Sequence, residues 1–164
     1  MKTVGTIVTW VENVFIGVAI LSIIFLTILY LLGYHPRIVL SGSMEPTLSK
    51  GSLSFIDIHE SVDKMEEGDI IAFRLQSGQE VTHRITVKHQ GYFITKGDAN
   101  EIEDYAPVSY EQVIGKTAFW IPKVGNIILF FKTRRGIQVL LGVLLICVGT
   151  DLLLRRKGGT VHEV

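Results

Sequence analysis

Two short stretches of this chain hold the residue types that nucleophilic chemistry needs. Ser41-Gly42-Ser43-Met44-Glu45-Pro46-Thr47 is a turn-rich hydroxyl cluster that begins shortly after a long apolar segment. Thr82-His83-Arg84-Ile85 places an imidazole inside a strand-like run. A hydroxyl becomes a nucleophile only with a base beside it. Of the two candidate bases, Arg84 is excluded, because a guanidinium does not deprotonate in proteins. Ser43 and His83 together therefore point to hydrolytic acyl transfer beside a membrane.

The alternation of residue types tests this idea. Along Glu80–Lys88 the odd positions Val81, His83, Ile85 and Val87 share one face of a strand, and Thr82, Arg84 and Thr86 share the other. A histidine on an apolar face is often a core residue satisfied by a backbone carbonyl, and periodicity alone favours that reading. Gln90-Gly91 has the length and composition of a two-residue hairpin loop, which sets His89 opposite Tyr92, Val87 opposite Ile94 and His83 opposite Asp98. Directly opposed residues have Cβ atoms about 4.5–5.5 Å apart, within reach for a carboxylate to orient a ring nitrogen. Asp98 also sits in Gly97-Asp98-Ala99-Asn100, where it reads equally as a turn cap. Asp104 follows Glu101 and Glu103 in an acidic run that reads as a solvated loop. These arguments leave Asp98 and Asp104 both open as partners of His83.

Composition says what must position these residues. The chain has 164 residues, 48% of them hydrophobic, a formal charge of zero and a mean hydropathy of +0.38. That is too apolar for an ordinary soluble domain and too short for a many-span transporter. No charged residue occurs between Asn13 and Tyr34, and Val14–Leu32 is long enough to cross a ~30 Å hydrocarbon layer. Its length exceeds the apolar core of a cleavable leader, so it is expected to stay as an anchor. A second run, Gly136–Leu154, lies between Arg134-Arg135 and Arg155-Arg156-Lys157 and is a weaker candidate span, in which Asp151 is placed to pair with Arg155. Lys2 and the basic tail favour a cytoplasmic location for both ends, with the intervening domain outside, although Lys132, Arg134 and Arg135 run against that orientation.

Between the spans, Ser52–Ile58, Asp69–Leu75, Glu80–Lys88, Tyr92–Lys96 and Val113–Trp120 are rich in Val, Ile, Phe and Thr and are separated by Gly, Ser and Asp. Ser61–Glu67 reads as a short helix or polar loop. The expected architecture is mainly β: a small domain over 35–135, an N-terminal tail and anchor helix over 1–34, and a C-terminal transmembrane helix and basic tail over 136–164. The middle stretch carries 12 basic and 13 acidic residues, which offers nothing to a nucleic-acid partner. The single cysteine, Cys147, falls in an apolar run and permits no intramolecular disulfide. His35, His59, His89 and His162 form no His-x-x-x-His pair, and neither a metal nor another cofactor is expected. His35 reads as an interfacial residue after the anchor.

Ser41-Gly42-Ser43-Met44-Glu45-Pro46-Thr47, then Gly68-Asp69-Ile70-Ile71, then His83-Arg84-Ile85, then Thr95-Lys96-Gly97-Asp98-Ala99-Asn100 with Asp104, resemble in order the boxes of type I signal peptidases, peptidase family S26. A histidine where the usual bacterial enzymes have a lysine makes the chain similar to the Ser-His-Asp branch, found in the endoplasmic reticulum, archaea and sporulating Gram-positive bacteria. The resemblance implies a serine endopeptidase with Ser43 as nucleophile, His83 as general base and Asp104 as the acidic partner. It gives Asp98 a supporting role and makes the Ser41 hydroxyl, with the Ser43 backbone N–H, an oxyanion donor. It further implies cleavage of secretory preproteins after small residues, an extended substrate paired with a sheet edge, a membrane setting shared with lipid, and room for accessory membrane subunits. The location implied is the cell membrane of a prokaryote, which the second span favours, with the catalytic domain on the extracytoplasmic face, or the endoplasmic-reticulum membrane of a eukaryote. The competing reading is an inactive two-span membrane protein whose β domain binds other proteins. The self-cleaving serine-lysine repressors share a related fold but need a lysine base and lack membrane anchors.

Overall fold

Strands form where β-branched and aromatic residues alternate or run together, because their stiff side chains pack well on a pleated surface. A computed structural model of the chain describes residues 2–158. Seven strands, β1 (Tyr34–Ile38), β2 (Leu53–Asp57), β3 (Ile70–Arg74), β4 (Glu80–His89), β5 (Tyr92–Lys96), β6 (Val108–Ser109) and β7 (Val113–Ile121), make one antiparallel sheet in the order β1-β2-β7-β3-β4-β5-β6. The five strands expected from sequence are β2, β3, β4, β5 and β7. The segment 61–67 holds a single 3-10 turn, Val62–Lys64.

Three register shifts, between Phe55 and Ile56, between Ala72 and Phe73, and between Ile85 and Val87, bend this sheet into a half-barrel. At one of them two backbones nearly touch: a Cβ on Gly115 would lie 2.2 Å from the Asp57 carbonyl oxygen, so only glycine fits there. Two apolar clusters fill the fold. Met65, Ile71, Phe73, Ile85, Phe93 and Val108 form the main core. Met44, Leu48 and Ile70, with Val39 and Trp120 packed against them, form a second cluster that buries both flanks of the Ser43 turn.

β1 and β6 were not evident from sequence. Pro36 lacks a ladder donor and breaks the reading of Tyr34–Ile38 as a strand, and the sheet accommodates it by placing β1 at an edge. β6 has only two residues. His35 therefore belongs to an edge strand, where its ring stacks on Tyr30 at 4.5 Å.

Among the described residues there are three α-helices: α1 (Lys2–Leu31), α2 (Val124–Lys132) and α3 (Arg134–Gly158). Within α1, Thr9–Leu31 has a mean hydropathy of 2.8 and, among the described residues, is the helix long and apolar enough to cross a membrane. Its 23 residues extend about 34 Å. The expected second span falls within α3, which is helical across it. Thr150 of α3 lies 3.5 Å from the Glu12 carboxylate of α1. The side chains of Asp151 and Arg155 lie outside those described, as does the whole of His162. The chain divides into two compact units, Ile28–Ile128 and the flanking helical segments up to Thr27 and from Leu129.

Phe93 is wholly buried at the centre of the main core. Phe93→Ala should cost about 3–5 kcal/mol of stability, read by chemical denaturation of the detergent-solubilised protein. A loss below about 1 kcal/mol would show that the core does not depend on it.

Candidate active site

The turn holding Ser43 leaves β1, is closed by Glu45 N–H donating to the Gly42 carbonyl (3.0 Å) and Leu48 N–H donating to the Met44 carbonyl (2.8 Å), and returns as β2. Met44 is 2% exposed and Leu48 fully buried, so the residues beside Ser43 are clamped in apolar surroundings while the serine side faces outward. Strand β4 delivers His83 to the same place. Its Nε2 lies 3.2 Å from Ser43 Oγ, and its Nδ1 lies 2.6 Å from Oδ2 of Asp104. An ionised carboxylate only accepts hydrogen bonds, so Nδ1 carries the proton and the Nε2 lone pair is turned toward the hydroxyl. His83 is 7% exposed, with the Phe73 ring edge-on to it at 6.2 Å. The Ser41 hydroxyl stands 3.2 Å from Ser43 Oγ.

The hairpin register expected from Gln90-Gly91 holds only near the turn, where His89 faces Tyr92 and Val87 faces Ile94. The shift between Ile85 and Val87 moves every earlier pair by one residue, so that Ile85 faces Thr95 and Arg84 faces Lys96. The expected pairing of His83 with Asp98 is therefore wrong. A one-residue bulge is decided by how the sheet must curve, and a period-two reading has no signal for it.

Asp98 turns instead to the other face of β4. Arg84 donates to it twice, from Nε at 2.8 Å and Nη2 at 2.6 Å, and gives a further bond from Nη1 to the Gly68 carbonyl at 2.7 Å. The guanidinium holds the Asp98 carboxyl below the usual aspartate range, helped by the Thr47 hydroxyl and opposed by burial. Reciprocally, the bond to Asp98 raises Arg84 above its ordinary value. Thr47, which follows the Ser43 turn, thus joins Arg84 and Asp98 in one polar network.

Two features that sequence reasoning did not single out lock this arrangement. Ala99 N–H donates to the Ser43 carbonyl oxygen at 2.9 Å, and a Cβ on Gly97 would meet that same oxygen at 2.6 Å, so the close approach of the two segments requires glycine at 97. Thr95, fully buried, donates its hydroxyl to Oδ2 of Asp104 at 2.6 Å. The inward alternation of Phe93 and Thr95 along β5 is the sequence signal that could have flagged that hydroxyl.

A cleft of about 420 Å³ runs beside Ser43. One wall is Arg37–Ser41 and the other is Gln79–Thr82, with Met44, Leu48, Ser54 and Ala72 between them. The β4–β5 ladder starts only at Arg84, so the stretch Glu80–His83 pairs with β3 on one side and has no β5 partner on the other. Glu80 joins the walls by accepting from Arg37 Nε and Arg74 Nη2, each at 2.9 Å, and these cations lower its carboxyl below the usual range.

Among curated proteins, the chain is 43% identical to signal peptidase I W of Bacillus subtilis (strain 168) over 95 residues, covering 55% of this chain and 50% of that protein. It is 29% identical to the signal peptidase complex catalytic subunit SEC11 of Clavispora lusitaniae over 103 residues, 55% of this chain and 61% of that one. It is also 29% identical to the signal peptidase complex catalytic subunit SEC11C of Homo sapiens over 133 residues, 73% of this chain and 67% of that one. The chain thus spans about half the length of the Bacillus relative. The model of the signal peptidase family, peptidase S26, matches residues 7–89, a stretch that takes in the anchor helix, the Ser43 turn and His83. With that match over half of its length, the chain belongs to the signal peptidase family, peptidase S26.

Proposed function

We propose that this protein is a membrane-anchored serine endopeptidase that removes signal peptides from secretory preproteins, cutting after small residues. The observation that carries this reading is the continuous hydrogen-bonded line Ser43–His83–Asp104, with spacings of 3.2 and 2.6 Å, inside a chain of the signal peptidase family. The same line makes the alternative of an inactive protein-binding module the poorer reading, since a binding surface has no need of a nucleophile, base and carboxylate in register.

In the proposed reaction Ser43 Oγ attacks the scissile carbonyl carbon as His83 Nε2 takes its proton. The carbonyl oxygen becomes an oxyanion that accepts from the Ser43 backbone N–H and the Ser41 hydroxyl; one such donor is typically worth about 3–4 kcal/mol. As the C–N bond breaks, His83 returns the proton to the leaving amine, and water then releases the acyl group by the reverse of the same steps. Asp104 holds the imidazole in the required tautomer and stabilises its protonated form. Asp98 acts at one remove, through Arg84, by fixing the turn that carries Ser43.

The substrate enters the cleft as an extended strand, adding main-chain hydrogen bonds along Glu80–His83. Small side chains fit because Met44, Leu48 and Ala72 already fill the space beneath it. The helix Thr9–Leu31 keeps enzyme and preprotein at one membrane, which raises their effective concentration. Residues 35–135 form the catalytic domain on the extracytoplasmic side, and 136–164 supply a second span and a cytoplasmic basic tail. The SEC11 relatives are named as subunits of a complex, and accessory membrane subunits fit this chain on that analogy.

Ser43→Ala and His83→Ala should each lower kcat by at least about 1,000-fold, measured on a preprotein in detergent. Near-normal turnover by either variant would remove that residue from the mechanism. Asp104→Ala should lose more rate than Asp98→Ala; the opposite order would transfer the orienting role to Asp98. Stability should respond to pH through Asp98. The folded-state value of Asp98 is depressed, so its contribution is present above the unfolded value of about 3.9 and is lost as pH falls through the folded one. Denaturation midpoints should therefore drop in strong acid, less steeply for Asp98→Asn; equal slopes would contradict this.

A further inference from the structure

Thr95 occupies a position that the packing of β5 would give to valine. It is fully buried, faces Ile85 across the ladder and shares the inward side of the strand with Phe93. A hydroxyl in such surroundings is costly unless it is hydrogen-bonded. Its bond goes to Oδ2 of Asp104 at 2.6 Å, the same oxygen that accepts from His83 Nδ1 at 2.6 Å. The main chain adds a second point of attachment, with Asp104 N–H donating to the Thr95 carbonyl at 2.8 Å.

We propose that Thr95 is a positioning residue of the active site, its buried hydroxyl fixing the rotation of the Asp104 carboxylate so that one oxygen serves both Thr95 and His83. The inference rests on the proposed function and extends the Ser43–His83–Asp104 line by one member. Asp104 lies in a loop, and its side chain is one-quarter exposed. The carboxylate torsion is broad and two-fold, so without an inward donor the group is free to turn toward water. The other charged groups near the ring, Asp98 and Arg84, are bound to each other on the opposite face of β4 and leave Asp104 as the carboxylate in contact with it.

Two substitutions separate the hydroxyl from the packing. Thr95→Val keeps the volume and removes the donor; Thr95→Ser keeps the donor and removes a core methyl. Thr95→Val should leave the thermal midpoint within a few degrees of wild type, lower kcat about 10-fold with KM unchanged, and shift the acid limb of the pH profile downward, because a carboxylate that turns to water no longer stabilises the protonated ring. Thr95→Ser should recover most of the rate while losing stability. Equal loss of rate in both variants, or a Thr95→Val enzyme with wild-type kcat and pH profile, would overturn the assignment. The His83 ring resonances, followed by NMR during a pH titration in detergent, give a readout independent of turnover. A lower titration midpoint in Thr95→Val supports the proposal, and an identical or higher one overturns it. If wild-type protein cuts no preprotein, the proposed function fails, and this titration still decides the place of Thr95.

Discussion

One oxygen atom organises the reactive end of this molecule. Oδ2 of Asp104 accepts both the Nδ1 proton of His83 and the hydroxyl proton of Thr95 at 2.6 Å. The first bond decides which imidazole nitrogen presents a lone pair to Ser43. The second ties the carboxylate, which lies in a loop, to the buried side of a strand. Charge-assisted bonds of this length are among the stronger ones in proteins, and a carboxylate with both donors in place has little reason to turn toward solvent.

The segment from Thr95 to Asp104 is the physical link between this oxygen and the Ser43 turn. Within ten residues it supplies the donor to Asp104, the glycine that lets the chain approach the Ser43 carbonyl, the Ala99 N–H that bonds to it, and the Asp98 carboxylate that binds Arg84. Arg84 and His83 are neighbours on β4 with side chains on opposite faces, so one strand carries two separate polar systems. One binds the His83 ring, and the other reaches Thr47, just past the turn that bears Ser43. Beneath both, Met44 and Leu48 fix that turn by burial, and Glu80–His83 of β4, paired with β3 on one side, has no β5 partner on the other.

Much of this was legible in the residues themselves. Runs of Val, Ile, Phe and Thr marked β2, β3, β4, β5 and β7, and the uncharged stretch after Asn13 marked the anchor, because both signals come from local composition. Ser43 and His83 stood out as chemistry-bearing types in suitable settings. Other features depend on long-range packing. Pro36 concealed β1, which exists because an edge can do without a donor. The bulge near Thr86 takes Asp98 out of register with His83, since curvature and not alternation sets that pairing, and the ring bonds to Asp104, the acid that the family resemblance implied and the hairpin argument did not reach. Val124–Lys132 begins directly after Pro122 and Lys123, which has a φ of 65°, and its helical turn was hidden in an apolar tail. Thr95 reads on its own as an ordinary strand residue, and only its partner gives the hydroxyl meaning.

The most direct test is mass analysis of a secretory preprotein incubated at neutral pH with the detergent-solubilised chain. The Ser43–His83–Asp104 account predicts two products, a signal peptide ending in a small residue and the complementary mature chain. A preprotein recovered at its intact mass, from protein shown to be folded, would contradict it.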